Sequence, residues 1–303
     1  MTPKIGIVTI TYNSGKVIKP FLQSVLSQTH ADYELFIIDN ASADDTLKQC
    51  EEYRDERILV VANKENVGVA AGNNQGIKMA LERGCTYIHL LNNDVEFEDT
   101  LLEKLLKVFA SIPVTLVTHK MYYHSDPNRI WYAGSTFTRW ERYMAPHNGQ
   151  KEIDRGQYDK DRYVDYAPTC SVLVKKEVFE DVGLMDEKYF AYYDDTDFFY
   201  RIYKQGKHRV YYISDVKFYH KVGGLTQSKT GTATKFKFGD FHIHLSIRNK
   251  VYYLKKQKEI LAWINILYFY FRIQLRFLFS GKYHRNFKTW KLIQRSVWEG
   301  VNM

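Results

Sequence analysis

Cysteine is scarce in this 303-residue chain, and the little there is carries no pattern. Cys50, Cys85 and Cys170 form no CxxC pair and have no metal-ligand spacing. That excludes a disulfide scaffold or a cysteine metal site and favours a reducing compartment. An uninterrupted apolar run of roughly 20 residues, which a membrane-spanning helix needs, is also missing. The longest candidate, Leu261–Phe271, is broken by Arg272 and then Arg276. The N-terminal apolar run in MTPKIGIVTITYN is only strand length and no small-residue cleavage site follows, so no signal peptide is expected and the chain reads as cytoplasmic. A glycine-rich GxGxxG turn is absent after the first apolar run, where TYNSG stands instead, which disfavours a dinucleotide-dependent dehydrogenase.

What is present is ordinary in bulk and uneven in distribution. Hydrophobic residues make up 45% and charged residues 26%, enough for a packed core under a solvated surface. The length suits one large α/β domain with an appendage, or two domains. The net charge of +8 is concentrated at one end. From Arg248 onward there are 12 Lys/Arg against Glu259 and Glu299, a net +10 that leaves −2 for the preceding residues. This end is also rich in Tyr, Phe and Trp, so an anionic surface is the natural partner.

Along the chain, short β-branched runs alternate with stretches of helical spacing. Strands are expected at Ile5–Ile10, Leu35–Ile38, Ile58–Val61 and Tyr87–Leu91, with helices over Val17–Gln28, from Asp44-Asp45-Thr46, and over Val69–Arg83 before Gly84. This strand–helix alternation predicts an α/β fold with a mostly parallel open sheet and flanking helices. Residues 120–165 are polar and irregular, and no element is assigned there. Beyond them, strands are expected at Pro168–Lys175, Arg209–Ile213 and Lys217–His220, and helices at Lys176–Val182 and Asp195–Gln205. Gly223–Thr234, rich in Gly, Thr and Ser, reads as a loop, and from Asp240 the pattern is helical. The domain division expected is 1–250 for the α/β unit and 251–303 for the basic, aromatic helical segment.

Ligands of open α/β sheets sit beyond the carboxyl ends of the strands. Thr11-Tyr12-Asn13, Asp39–Ser42 and Asn92-Asn93-Asp94 all follow strand ends, so they are expected to meet in one crevice. Asp39 reads equally as a nucleoside acceptor or as a helix cap. Asp94 reads as a ligand for Mg²⁺ or Mn²⁺ beside a diphosphate, or as a loop acid near a helix start. Gly68 and Asn73, in ENVGVAAGNNQGI, allow close backbone approach and amide bonding to sugar or phosphate oxygens, or simply make a capped turn. Asp194, Asp195 and Asp197 place three acids in four residues behind an aromatic run. Crowding and burial there can tune a general base, although capping accounts for one or two of them. His220 is by itself more often a structural histidine than a metal ligand.

Taken in order, VTITYNSG, IIDNASADDT, NKENVGVAAGNNQGI, LLNNDVEF, PTCSVLVKKEVFEDVGLMDEKYFAYYDDTDFFYRI and FYHKVGG resemble glycosyltransferase family 2. The resemblance runs from about Ile5 to Leu254 and looks nearest to the bacterial rhamnosyltransferase-like and galactofuranosyltransferase-like branch. It implies the GT-A fold and an inverting, metal-dependent transfer from a nucleotide-diphosphate sugar, UDP- or dTDP-linked, to a hydroxyl of a polysaccharide or lipid-linked glycan. By the same resemblance, Thr11, Tyr12 and Asn13 form the nucleotide loop and Asp39 holds the base. Asn66, Gly68 and Asn73 lie near ribose and diphosphate, and Asn92, Asn93 and Asp94 stand for the DxD-type metal motif. Asp195 is the catalytic base and His220 a metal ligand; Asp194 and Asp197 fall to acceptor binding or capping. The chain departs from the family at Asn92, where an acid is usual, which leaves Asp94 as the main carboxylate for Mn²⁺ or Mg²⁺. A sugar-phosphate nucleotidyltransferase and a non-catalytic sugar-nucleotide or glycan-binding module are the competing readings.

The C-terminal segment, with Trp, Tyr and Phe among Lys and Arg, suggests helices lying on an anionic membrane surface, which would make the protein peripheral on the inner face of the cell membrane. A helical pair packed on the α/β unit, or a homodimer interface, explains it equally. Nucleic acid is not expected, because no nucleic-acid motif accompanies the charge.

Overall fold

In a computed structural model of the chain, residues 3–138, 143–221, 239–280, 283 and 286–303 are described. The N-terminal half alternates as the periodicity predicts: β1 (Ile5–Thr11), α1 (Ile18–Leu26), β2 (Tyr33–Asp39), α2 (Thr46–Glu51), β3 (Ile58–Ala62), α3 (Val69–Glu82) and β4 (Tyr87–Leu91). There follow β5 (Val95–Phe97), α4 (Leu101–Ser111), β6 (Leu116–His119), β7 (Met121–Tyr123), β8 (Asp126–Tyr132), β9 (Arg162–Val164), β10 (Ser171–Lys175), α5 (Lys176–Val182) and α6 (Asp194–Gln205). The chain closes with β11 (Val210–Ile213), β12 (Phe218–His220), α7 (Asp240–Lys256), α8 (Ile260–Phe279) and α9 (Phe287–Asn302).

Among the described residues, eight strands form one sheet in the order β3-β2-β1-β4-β10-β6-β11-β9. β3, β2, β1 and β4 run parallel, β10 runs against β4 and β6, and β9 runs against β11. The order reverses between β1 and β4, and that is where ligands collect in open sheets. β1 and β2 are buried almost throughout, as unbroken apolar strands covered on both faces must be. Helix α3 lies so close to β1 that a Cβ on Gly76 would collide with Val8, and one on Gly72 would press on Ile10 at 3.2 Å. These two glycines therefore serve helix–sheet packing.

A second sheet, β5-β12-β7-β8, is drawn mostly from the stretch to which the sequence pattern assigned no element. The reason is that β7 is only three residues long and β8 is bulged against it, so they show no clean alternation. β5 and β12 pair antiparallel with His220 opposite Val95. That register delivers His220 to the end of the Asn92–Asp94 loop.

The boundary expected at residue 250 falls inside α7. This helix contributes Val251, Tyr253 and Leu254 to the main core, so it belongs to the α/β unit physically. The expected loop at Gly223–Thr234 lies outside the described residues.

Candidate active site

The end of β1 and the end of β2 are tied into one rigid shelf. Asp39 is fully buried; its Oδ1 accepts from Thr11 Oγ1 at 2.7 Å and from Ser42 Oγ at 2.5 Å, and its Oδ2 accepts from Ser42 N at 2.9 Å. Asn13, at φ +53°, accepts from Ala43 N through its side chain and donates its own N–H to Ser42 Oγ. The Asp39 carboxylate thus braces the shelf. Tyr12, in contrast, stands half-exposed on the rim.

The opposite rim joins α3 to the segment before α6. Asn66 Oδ1 accepts from Gly68 N at 2.9 Å, and Asn40 Nδ2 donates to Gly68 O at 3.1 Å. Gly68 adopts φ +88°, and a Cβ there would strike the Phe190 backbone at 2.5 Å, so glycine is required on both counts. Val69 N donates to Phe190 O across this contact. Asn73 is buried in the second turn of α3. Its neighbour Asn74 locks Met185 and Glu187, donating to Met185 O and Glu187 Oε1 at 2.9 Å each.

Between the rims lies the loop after β4. Asn93 Nδ2 donates to Ile10 O, bridging β4 to β1 at the point of order reversal, while Asn93 Oδ1 is buried without a partner. Asn92 is exposed and donates its backbone N–H to Cys170 O. Asp94 Oδ1 lies 3.3 Å from His220 Nε2. Burial alone would lower the His220 pKa, but the Cys170 thiol and the Asp94 carboxylate beside the ring overcome it and raise the value to about 10. Among the described residues no cluster of three metal-ligating side chains exists. Once a cation displaces the His220 ring proton, Asp94 and His220 would offer one carboxylate and one neutral imidazole, mixed ligation that suits Mn²⁺ or Mg²⁺ when the remaining positions come from diphosphate oxygens.

An aromatic wall carries the site from this pair to α6. The His220 and Trp131 rings are 4.4 Å apart, Trp131 and His147 are 4.8 Å apart, and His147 and Tyr166 are 5.9 Å apart. Tyr166 then donates its hydroxyl to Asp195 Oδ2 at 2.6 Å. Burial lowers the His147 pKa, so the ring is neutral, and it senses the charges of both Asp195 and His220. Burial, reinforced by Asp195, raises Tyr166 far above the usual phenol range, so the hydroxyl keeps its proton and can only donate to that carboxylate. Trp131, His147, Tyr166 and Cys170 were not singled out by sequence reasoning, and no local signal marks them.

The three acids at the start of α6 separate by environment. Asp195 is partly exposed, with Thr196 N on its Oδ1 at 2.6 Å. Asp194 is buried, and that burial, followed by the charge of Asp195, raises its pKa to about 8. Asp197 faces inward, where Tyr189, Arg201 and Lys256 hold its two oxygens at 3.1, 3.0 and 2.7 Å. These contacts tie α6 to α7 through Asp197, as a buried carboxylate must be paired.

The segment feeding α6 is strained. Phe190, Tyr192 and Tyr193 all adopt positive φ, at +47°, +68° and +71°. Asn249 of α7, fully buried, donates through Nδ2 to the carbonyls of Tyr189, Ala191 and Tyr192 at 3.0, 2.7 and 2.9 Å.

Known proteins share this chain's pattern. Residues 6–183 match the family described as Glycosyl transferase family 2. The putative teichuronic acid biosynthesis glycosyltransferase TuaG of Bacillus subtilis is 35% identical over 107 residues, 35% of this chain and 41% of TuaG. Glycosyltransferase GlyG of Streptococcus pneumoniae is 23% identical over 228 residues, 74% of this chain and 73% of GlyG. The chain therefore spans about two fifths of the first of these relatives and about three quarters of the second. In fold, it superposes on S. aureus TarS 1-349 in complex with UDP-GlcNAc with a TM-score of 0.60 at 15% identity, over 98% of this chain and 80% of the other.

Proposed function

This chain belongs to glycosyl transferase family 2, and from that premise we propose that it transfers a sugar, with inversion, from a UDP- or dTDP-linked donor to a hydroxyl of a surface-polysaccharide or lipid-linked glycan. The observation that carries the reading is the aromatic wall Trp131–His147–Tyr166, which has the Asp94–His220 pair at one end and Asp195 at the other. A leaving diphosphate and an attacking hydroxyl act on opposite faces of the sugar, and this wall holds the two groups apart.

The chain's own residues divide the work. Thr11, Tyr12 and Asn13 present the nucleotide shelf that Asp39 braces, and Asn66, Gly68 and Asn73 line the opposite rim. Asn92, Asn93 and Asp94 approach the diphosphate. Asp94 and His220 would hold a divalent cation, Mn²⁺ or Mg²⁺, which when bound neutralises charge on the departing phosphate. Asp195 takes the acceptor proton as the acceptor oxygen bonds to the anomeric carbon. On the opposite face the bond from that carbon to phosphate oxygen breaks, its electron pair leaving with the diphosphate, so one displacement inverts the centre. Tyr166 fixes the Asp195 carboxylate in the orientation this requires. His147, kept neutral, adds no positive charge that would compete for it.

A donor screen of UDP- and dTDP-sugars with Mn²⁺ tests the reading by following released nucleoside diphosphate and the anomeric configuration of the product. Nucleoside diphosphate with an inverted product is expected. Pyrophosphate would mean a nucleotidyltransferase, and tight nucleotide-sugar binding without turnover would mean a binding module.

A further inference from the structure

Helix α8 leaves one entire side to solvent. Ile260, Ile264, Leu267, Phe271, Leu275 and Leu278 recur at steps of three and four, forming a straight stripe about 27 Å long, and each is between 53% and 82% exposed. The other side packs inward through Ala262, Ile266 and Ile273. Helix α9 adds exposed Phe287, Trp290 and Trp298. Apolar surface of this extent is not left bare without a partner. No described helix is long and apolar enough to cross a membrane.

Charge identifies the partner. Arg272 and Arg276 are one turn apart on the border between the stripe and the packed side, and neither has a carboxylate partner among the described residues. Exposed Lys291 lies among the α9 aromatics, its Nζ 4.6 Å from the Phe287 ring centre, while neighbouring Lys288 and Arg295 are paired with Asp240 and Glu299. Behind the two arginines, a cavity of about 220 Å³ opens between α7 and α8, lined by Lys250, Arg272, Arg276 and by Tyr193, the residue immediately before the α6 acids. The segment from Arg248 carries +10, so a second copy on the stripe would bring like charges together, whereas an anionic lipid surface complements them.

We propose that α8 and α9 dock this protein on an anionic bilayer, with the stripe sunk to the headgroup–acyl boundary and Arg272, Arg276 and Lys250 meeting lipid phosphates. Tryptophan, phenylalanine and basic side chains on one helical surface are the chemistry of an interfacial anchor. The inference rests on the transferase reading only for its purpose, which is to hold the pocket beside a lipid-linked acceptor.

Flotation of the full chain with phosphatidylcholine vesicles, with and without phosphatidylglycerol, is the test. Binding to the phosphatidylglycerol vesicles, weakened by salt, is expected. The double variant Leu267→Glu with Phe271→Glu, at exposed positions that the fold tolerates, should lower the bound fraction by about tenfold or more. Arg272→Gln with Arg276→Gln should reduce the preference for phosphatidylglycerol while leaving residual binding. Asp195→Asn should float like the wild type, so loss of the transferase reading and loss of this one show up separately. Equal flotation of the wild type and the glutamate variant overturns the proposal. So does a wild-type dimer in sedimentation velocity that the glutamate variant lacks, since a second copy would then cover the stripe.

Discussion

The Tyr166 hydroxyl donates to Asp195 Oδ2 at 2.6 Å, joining a strand-end loop to the first turn of α6 across 29 residues of sequence. If Asp195 is the base, this bond sets its aim. Asp195→Asn is expected to lower kcat by roughly 10²–10⁴-fold with donor affinity unchanged. Tyr166→Phe, which keeps the ring and loses only the bond, should lower kcat by a smaller factor, about tenfold. Steady-state kinetics paired with donor titration calorimetry checks both. Normal turnover in Asp195→Asn would remove it from the base role.

Asp94 and His220 stand 3.3 Å apart, and among the described residues they belong to no cluster of three metal-ligating side chains. Chelation of divalent ions should abolish transfer, and Mn²⁺ should restore it. Asp94→Asn should raise the Mn²⁺ concentration needed for half-maximal rate by about tenfold or more, because a charged oxygen ligand is lost. His220→Ala should do the same. Unchanged Mn²⁺ requirements in both variants would show that the cation, if used, binds elsewhere.

Asn249 holds three carbonyls of the strained segment before α6. Asn249→Ala leaves them buried without a donor and should destabilise the fold by about 2–4 kcal/mol. It should also depress kcat, because the segment that positions Asp195 loses its clamp. Denaturant unfolding and kinetics on the same sample measure the two effects. Full activity and stability would show that the segment holds its shape unaided.

Asp194 has its pKa raised from 3.8 to about 8 by burial and then by the Asp195 charge. The folded chain therefore keeps a proton that the unfolded chain releases between about pH 4 and pH 8, and Asp194 makes stability fall as pH rises through that window. Asp194→Asn, which mimics the protonated acid, removes this dependence. Relative to the wild type the variant should gain stability steadily from about pH 4 to pH 8. A difference in unfolding free energy that does not vary with pH would contradict a protonated Asp194.

Gly68 combines φ +88° with contact against the Phe190 backbone. Gly68→Ala should cost about 1–3 kcal/mol in stability and weaken nucleotide-sugar binding, because α3 and the Phe190 segment must part. Thermal unfolding and donor titration read the two consequences, and an unperturbed variant would mean the two segments can separate freely.

The strand–helix order, the placement of the polar loops at strand ends and the helical C-terminus were legible in the chain because each depends on neighbours a few residues apart. Buried β-branched runs such as Ile5–Thr11 and the spacing in α3 and α5 are local signals. The alternation in the open sheet also implied that Thr11, Asp39 and Asn92–Asp94 end near one another. Of the second sheet, β12 was legible at Lys217–His220, but β7, three residues long, and β8, bulged against it, were not.

The sequence by itself determined the fold class, the charge imbalance and which acids were available. Tertiary structure decided the environment of each acid. Asp194, Asp195 and Asp197 are nearly indistinguishable in the string, yet Asp194 is buried, Asp195 is partly exposed and takes the Tyr166 hydroxyl, and Asp197 is locked by Arg201 and Lys256. Likewise His220 reaches Asp94, and Trp131, His147 and Tyr166 line up behind them, only through the β5–β12 register and the packing of distant segments. Burial, pairing and reach are properties of surroundings assembled from across the chain, and no window of neighbouring residues contains them.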